Sequence, residues 1–210
     1  MRKIEFIALH HTGSTQSNPN ASTQDMTWEQ VDAVHRDKYK AYANTWSAYK
    51  SILGHWGGYN FFIDKTGAIK QLRAIGEETA AQTGSNFNTV SICLAGNFST
   101  TVEHPTPFQI TAMTVLIRNI LNKNLSEYAV MVGTEISIPF SNIKPHRLFS
   151  GANTQCYGNY LDDSWARDRL IGHYVSLIEK LKVWLQELKA SLTSQKLGGE
   201  TNCFHRDERG

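Results

Sequence analysis

The spacing of apolar residues along this chain changes often enough to mark most of its elements. Lys3 to Leu9 alternates and then becomes continuously apolar, as a strand entering a core does. Thr27-Trp28-Glu29-Gln30 reads as a capping box opening a helix, with Val31 and Val34 on its buried stripe. Aromatic residues then recur at Tyr39, Tyr42, Trp46 and Tyr49, a spacing that suits one long helix or two short ones. Gly54 to Gly58 breaks that run. Tyr59 to Ile63 and Ala68 to Arg73 read as two strands of a hairpin around the turn Asp64-Lys65-Thr66-Gly67. Thr89 to Ala95 is an apolar run of strand length. Thr106-Pro107-Phe108-Gln109 opens a second helix, whose stripe is Ile110, Met113, Leu116, Ile117, Ile120 and Leu121. Residues 125 to 145 carry no clear period until a strand near Ile143. A last amphipathic helix, 164–189, repeats Leu170, Ile171, Tyr174, Ile178, Leu181 and Leu185. Strands alternating with helices, with one hairpin interrupting, predict a single α/β domain over 1–190 with a central mixed β-sheet flanked by helices. A flexible tail, 191–210, is expected after it.

The 210 residues are 40% hydrophobic and 19% charged, which suits one well-buried domain. A net charge of +2 gives no reason to expect nucleic acid as a partner. No apolar run approaches membrane-spanning length, so no membrane is expected either. The N-terminus carries Glu5 inside its apolar run and does not resemble a secretory signal, which predicts synthesis in the cytoplasm. Three cysteines, Cys93, Cys156 and Cys203, are too few for a disulfide framework. Cys93, in an apolar strand, reads as a small buried hydrophobe.

The chemistry gathers in Pro145 to Tyr157. His146 and Cys156 flank a loop of small and polar residues, and imidazole and thiolate are ligands that zinc takes readily. A third ligand has a natural source in Ile7-Ala8-Leu9-His10-His11-Thr12, where a strand runs into paired histidines. Strand neighbours point to opposite faces, so one of His10 and His11 can serve, not both. Three ligands with a fourth position for water is the pattern of a catalytic zinc. The competing reading is a cysteine nucleophile with His146 as its base, which leaves the third histidine without a role. His35, His55, His104 and His173, with Cys203 and His205, have no motif support and read as ordinary residues.

Four blocks in order resemble the type-2 N-acetylmuramoyl-L-alanine amidases, a family that includes phage amidase lysins and the peptidoglycan recognition proteins. They are Leu9-His10-His11-Thr12, Gly58 to Gly67, Asn86 to Phe98, and His146-Arg147 with Thr154-Gln155-Cys156. The resemblance spans roughly residues 4 to 185, the scale of a whole domain. It implies zinc ligands at His10, His146 and Cys156, with Tyr59 and Thr154 as the catalytic side chains beside the metal. It also implies a peptidoglycan recognition protein-like fold with the Zn2+ site at strand ends, and a peptidoglycan substrate. The bond implied is the amide between N-acetylmuramic acid and L-alanine. Cys156 stands where the cytoplasmic recycling amidases carry aspartate, so the chain resembles the lysin and recognition-protein branch. The loop from His146 to Cys156 is longer than is usual there. Gln82 occupies the position before Thr83-Gly84 where many members have histidine. The resemblance implies an endolysin-like enzyme; a monomer is expected, acting on the cell wall after release by phage lysis or by non-classical export. The alternatives are a binding module that does not cut, and a zinc peptidase cutting within the stem peptide.

Overall fold

A computed structural model describes residues 1–14, 18–42, 48–99, 103–159 and 161–198; within the last helix the side chains of 173–177, 179–180 and 190–198 are also left undescribed. The chain forms two compact units, Met1–Leu170 and Ile171–Gly210. The first unit contains a five-stranded sheet. Its strands are β2 (Phe6–His11), β3 (Phe61–Ile63), β4 (Ile69–Gln71), β5 (Thr89–Leu94) and β7 (Ile143–Pro145), in the order β4-β3-β5-β2-β7. β2 lies parallel to both β5 and β7, β3 is parallel to β5, and β4 is antiparallel to β3. The mixed sheet flanked by helices is as expected. The run expected as one strand from Lys3 is instead two. β1 (Arg2–Ile4) leaves the main sheet and pairs in parallel with β6 (Thr134–Ile136). The break falls at Glu5, whose amide donates to the Asn88 carbonyl.

Both capping boxes form. Helix α1 (Trp28–Lys40) begins with Thr27 and Gln30 satisfying each other's backbone amides, and α2 (Pro107–Leu121) with Thr106 and Gln109 doing the same. Each helix covers one face of the sheet. Ile7, Leu9, Phe61, Ile63, Val90, Ile92 and Leu94 pack on one side with Met113, Leu116, Ile117 and Ile120 of α2. Phe62, Cys93 and Ala95 point the other way and pack with Val31 of α1, Met26, Trp28 and Tyr59. The alternation of strand side chains thus puts Ala8 and His10 of β2, and Ser91 and Cys93 of β5, on the face that α1 covers. Of the expected α1 stripe, Val31 is buried and Val34 is not. Val34 is 56% exposed, whereas Val31 and Tyr39 are buried and His35 between them is half-buried, a repeat of four residues. Of the aromatic run beyond α1, Trp46 lies outside the described residues.

Helix α3 (Trp165–Gly198) starts as expected but continues past Leu188 and past the expected start of the tail. Ser191 to Leu197 contains neither proline nor glycine, so nothing in the backbone stops the helix before Gly198. Leu170 is buried in the first unit, whereas Ile171, Ile178, Leu181 and Leu185 of the expected stripe are about half exposed. Residues 199–210 lie outside the described residues. No helix among the described residues is long and apolar enough to cross a membrane.

The loop after β7 is fixed by a glycine. Gly158 has φ +105°, and a Cβ there would run into the carbonyl of Phe98. Gly158→Ala combines a disfavoured backbone with a backbone clash and should destabilise the fold by more than about 2 kcal/mol in urea unfolding. A loss below roughly 0.5 kcal/mol would show that the loop can back away from Phe98 freely.

Candidate active site

Parallel register builds the centre. Leu9 of β2 is paired with Pro145 of β7, so the next residues, His10 and His146, emerge side by side at the strand ends. Their rings lie 4.8 Å apart between centroids. Cys156 arrives from the loop after β7, its Sγ 3.6 Å from His10 Nδ1 and 3.4 Å from the His11 backbone nitrogen. One ligand atom from each of His10, His146 and Cys156 lies within 4.8 Å of the others, so the three could hold a metal ion. The structure therefore brings together the three residues expected as ligands. It also resolves which paired histidine joins them. His11 turns to the opposite side, where its Nδ1 accepts from the Phe98 amide at 3.0 Å.

Cys156 is carried on a loop that has little regular structure but many ties. The Arg147 amide donates to the Cys156 carbonyl at 2.9 Å. The Arg147 guanidinium donates to the carbonyls of Gly158 and Leu161, both at 2.6 Å, and to Asp163 at 2.8 Å. Thr154 Oγ1 accepts from the Cys156 amide at 3.1 Å. Thr154 lines the same cleft as the three ligands, so the structure brings it to the site as well.

Tyr59 stands just before β3, half-buried, with its ring 5.0 Å from His10 and 5.3 Å from His35. Burial, the neighbouring cysteines and a hydrogen bond with Cys93 push its phenol well above the ordinary tyrosine range. Cys93 is buried as expected, yet it sits directly beside this tyrosine. The cleft has a volume of about 410 Å³ and is walled by Thr12 to Ser14, His35 and Lys38 of α1, Ala80, Ala81, and the loop 154–156.

His35 is one residue that had no motif to single it out. Its Nδ1 accepts from the Gly58 amide at 2.7 Å, which leaves the proton of the neutral ring on Nε2. The available signal was its place between Val31 and Tyr39 at four-residue spacing. Gln82 is a second. Fully buried, it contacts His10 Nε2 through its amide. By contrast His55 packs edge-on against Trp28 and His104 is exposed. The His173 side chain, Cys203 and His205 lie outside the described residues.

The centre is built of uncharged groups. Burial first, and then the charges of His146, His11 and His35, push His10 well below its ordinary value. Burial lowers His146, and it lowers His11 and His35 to about 4. Burial lifts the Cys156 thiol to about 12, against the hydrogen bond from His11 and the charge of Arg147.

Comparison with known proteins agrees with this architecture. The model of a family described as N-acetylmuramoyl-L-alanine amidase matches residues 1–159. No curated protein matches the chain. Among solved structures, the chain resembles the endolysin amidase LysCS from Clostridium intestinale URNW, with 24% identity and a TM-score of 0.54, over 80% of this chain and 84% of that one. It resembles the Ph2119 endolysin of the Thermus scotoductus MAT2119 bacteriophage at 15% identity and a TM-score of 0.53, over 81% and 86% of the two chains. The PGRP-SA structure of Apis mellifera matches at 18% identity and a TM-score of 0.50, over 75% and 78%. At these identities the structures establish the fold.

The lowered histidines make an acid-sensitive protein. His11 and His35 stay neutral in the folded chain down to about pH 4, while in the unfolded chain they take up protons below about 6.5. Their contribution is present above pH 6.5 and is lost as pH falls toward 4, about 3 kcal/mol for each. His35→Gln keeps an acceptor for the Gly58 amide without a titrating ring. In metal-free protein it should lose about 2 kcal/mol less than wild type between pH 7 and pH 4.5, measured by urea unfolding. Equal losses in the two proteins would show that His35 does not drive the acid limb.

Proposed function

The chain belongs to the N-acetylmuramoyl-L-alanine amidase family and is an enzyme of that activity, and from that premise we propose that His10, His146 and Cys156 bind a catalytic zinc ion. The observation that carries this is the His10 Nδ1 to Cys156 Sγ separation of 3.6 Å. A tetrahedral zinc at ordinary Zn–N and Zn–S distances holds such a pair about 3.6 Å apart. Two neutral imidazoles and one thiolate form the donor set of an open, three-ligand zinc site. Zinc held there supplies the positive charge that acidifies water and polarises a carbonyl at neutral pH.

The protein's own groups do the rest. Tyr59, whose phenol stays protonated at any working pH, donates a hydrogen bond to the oxyanion or passes a proton to the departing amine. Thr154 fixes the turn that presents Cys156 by accepting its amide, and its hydroxyl hydrogen remains for the substrate. The bond cut is the amide between the lactyl group of N-acetylmuramic acid and L-alanine of peptidoglycan. Every side chain invoked lies between His10 and Cys156, inside the 1–190 domain proposed for the activity, and we propose that the enzyme acts as a monomer. Likeness in fold to phage endolysins supports action on the cell wall after release.

A wall digest tests the bond. New amino termini should be alanine and should disappear with a chelator, returning when zinc is added. A stem-peptide peptidase would expose another terminus, a binding module would expose none, and activity untouched by the chelator would overturn the zinc assignment. Tyr59→Phe should keep its zinc, measured by elemental analysis, while turnover falls by roughly 10²–10³. Turnover equal to wild type would leave Tyr59 a packing aromatic.

A further inference from the structure

His10 can reach a metal through Nδ1 only if its other nitrogen, Nε2, carries the ring proton. That proton then points into the protein, away from the cleft, and needs a buried acceptor. The group in contact with Nε2 is the Gln82 amide. Gln82 and Ser91 are both completely buried, and Ser91 Oγ donates to Gln82 Oε1 at 2.8 Å. The loop that carries Gln82 is itself held. Asn86 Oδ1 accepts from the amides of Ala81 and Gln82 at 3.1 and 2.7 Å, and the Ala80 amide donates to the Gly58 carbonyl.

We infer that Gln82 is a positioning residue for the metal ligand His10, and that its amide turns over when metal enters. The inference rests on the proposed metal site. In the structure the amide offers its NH2 to Nε2, which suits a ring protonated on Nδ1 and facing the Cys156 sulfur. A half-turn about the terminal amide bond exchanges oxygen and nitrogen with almost no change of shape. Oε1 then accepts from His10 Nε2–H, and the NH2 donates to Ser91 Oγ, which is able to accept as well as donate. No side chain has to move away, and His10 Nε2, the Gln82 amide and Ser91 Oγ each keep a partner in either state. A carboxylate at this position accepts from the ring in the metal-loaded arrangement alone. The amide serves both tautomers, so it fixes the ring plane before and after loading.

Zinc affinity, measured by competition with a chromophoric chelator at pH 8, is the direct test. Gln82→Met has nearly the same length and no acceptor, and should weaken zinc binding by roughly 10- to 100-fold. Gln82→Glu restores the acceptor and should bind zinc within about threefold of wild type. Nitrogen-15 shifts of His10 should report a proton on Nδ1 in metal-free wild type and on Nε2 after zinc is added. Wild type that takes up no zinc removes the metal site itself. Wild type that binds zinc no better than a folded Gln82→Met removes only the role of Gln82. Should Gln82→Met not fold, Gln82→Glu and the shifts decide. Zinc binding by Gln82→Glu weakened tenfold or more, or a His10 proton that does not change nitrogen on loading, would overturn the inference.

Discussion

Parallel pairing of β2 with β7 is the constraint on which the site depends. It makes His10 and His146 neighbours by strand register, so their separation is set by backbone hydrogen bonds and not by a loop conformation. β5, on the other side of β2, completes the support, with His10 paired to Cys93. A slip of one residue would turn His10 to the α2 side and put His11 in its place beside His146 and Cys156. The apolar packing of Ile7 and Leu9 against α2 opposes that slip, because it would expose both to the opposite face. Core packing and ligand placement are therefore one selection on one register. Cys156 has no strand to hold it, and Arg147 takes over that task by binding three points along the returning loop.

Burial decides the charge state of the centre. Taking His10, His146 and Cys156 out of water disfavours imidazolium and thiolate alike, so the metal-free cluster is neutral. A divalent cation reverses the balance for the thiol, since the thiolate then has a compensating charge in contact with it. Binding of a cation by these three residues would therefore be coupled to loss of the Cys156 proton. The same dry surroundings strengthen every later electrostatic interaction in the cleft.

Local pattern made most of the fold legible, and its failures share a cause. The two capping boxes and the hairpin turn are short-range signals, and all three form where the residues indicate. The break at Glu5 depends on a partner strand about 130 residues away, which no local period records. On α1 the apolar residues are few, so the phase of the stripe rested on Val34 when His35 and Tyr39 were the inward positions. The choice of His10 over His11 came from the resemblance, and in the structure it follows from strand alternation. Gln82 could not be read from periodicity at all, since a buried polar residue in a loop looks like any other polar loop residue. Only its place in the resemblance, where histidine is common, marked it.

The lining of the cleft limits how protons can move through it. Among the described residues that wall it, none is a carboxylate, and Lys38 is its one lysine or arginine. Apart from the Lys38 ammonium, the side-chain donors that wall the cleft are neutral, among them the Tyr59 phenol, the Thr154 hydroxyl and the Nε2–H of His35. Neutral donors would suit a buried centre that, with the proposed metal bound, concentrates charge on a single cation. In the proposed reaction they would stabilise a developing oxyanion without repelling a bound metal, and none would leave an uncompensated ion in the protein when the substrate departs. A carboxylate base in the same wall would draw the cation toward itself and compete with the thiolate for it. By holding Tyr59 far above its ordinary pKa and His35 below its own, burial keeps both in the donor form through the neutral range. The apolar packing around the sheet thereby sets the chemistry of the cleft as well as its shape.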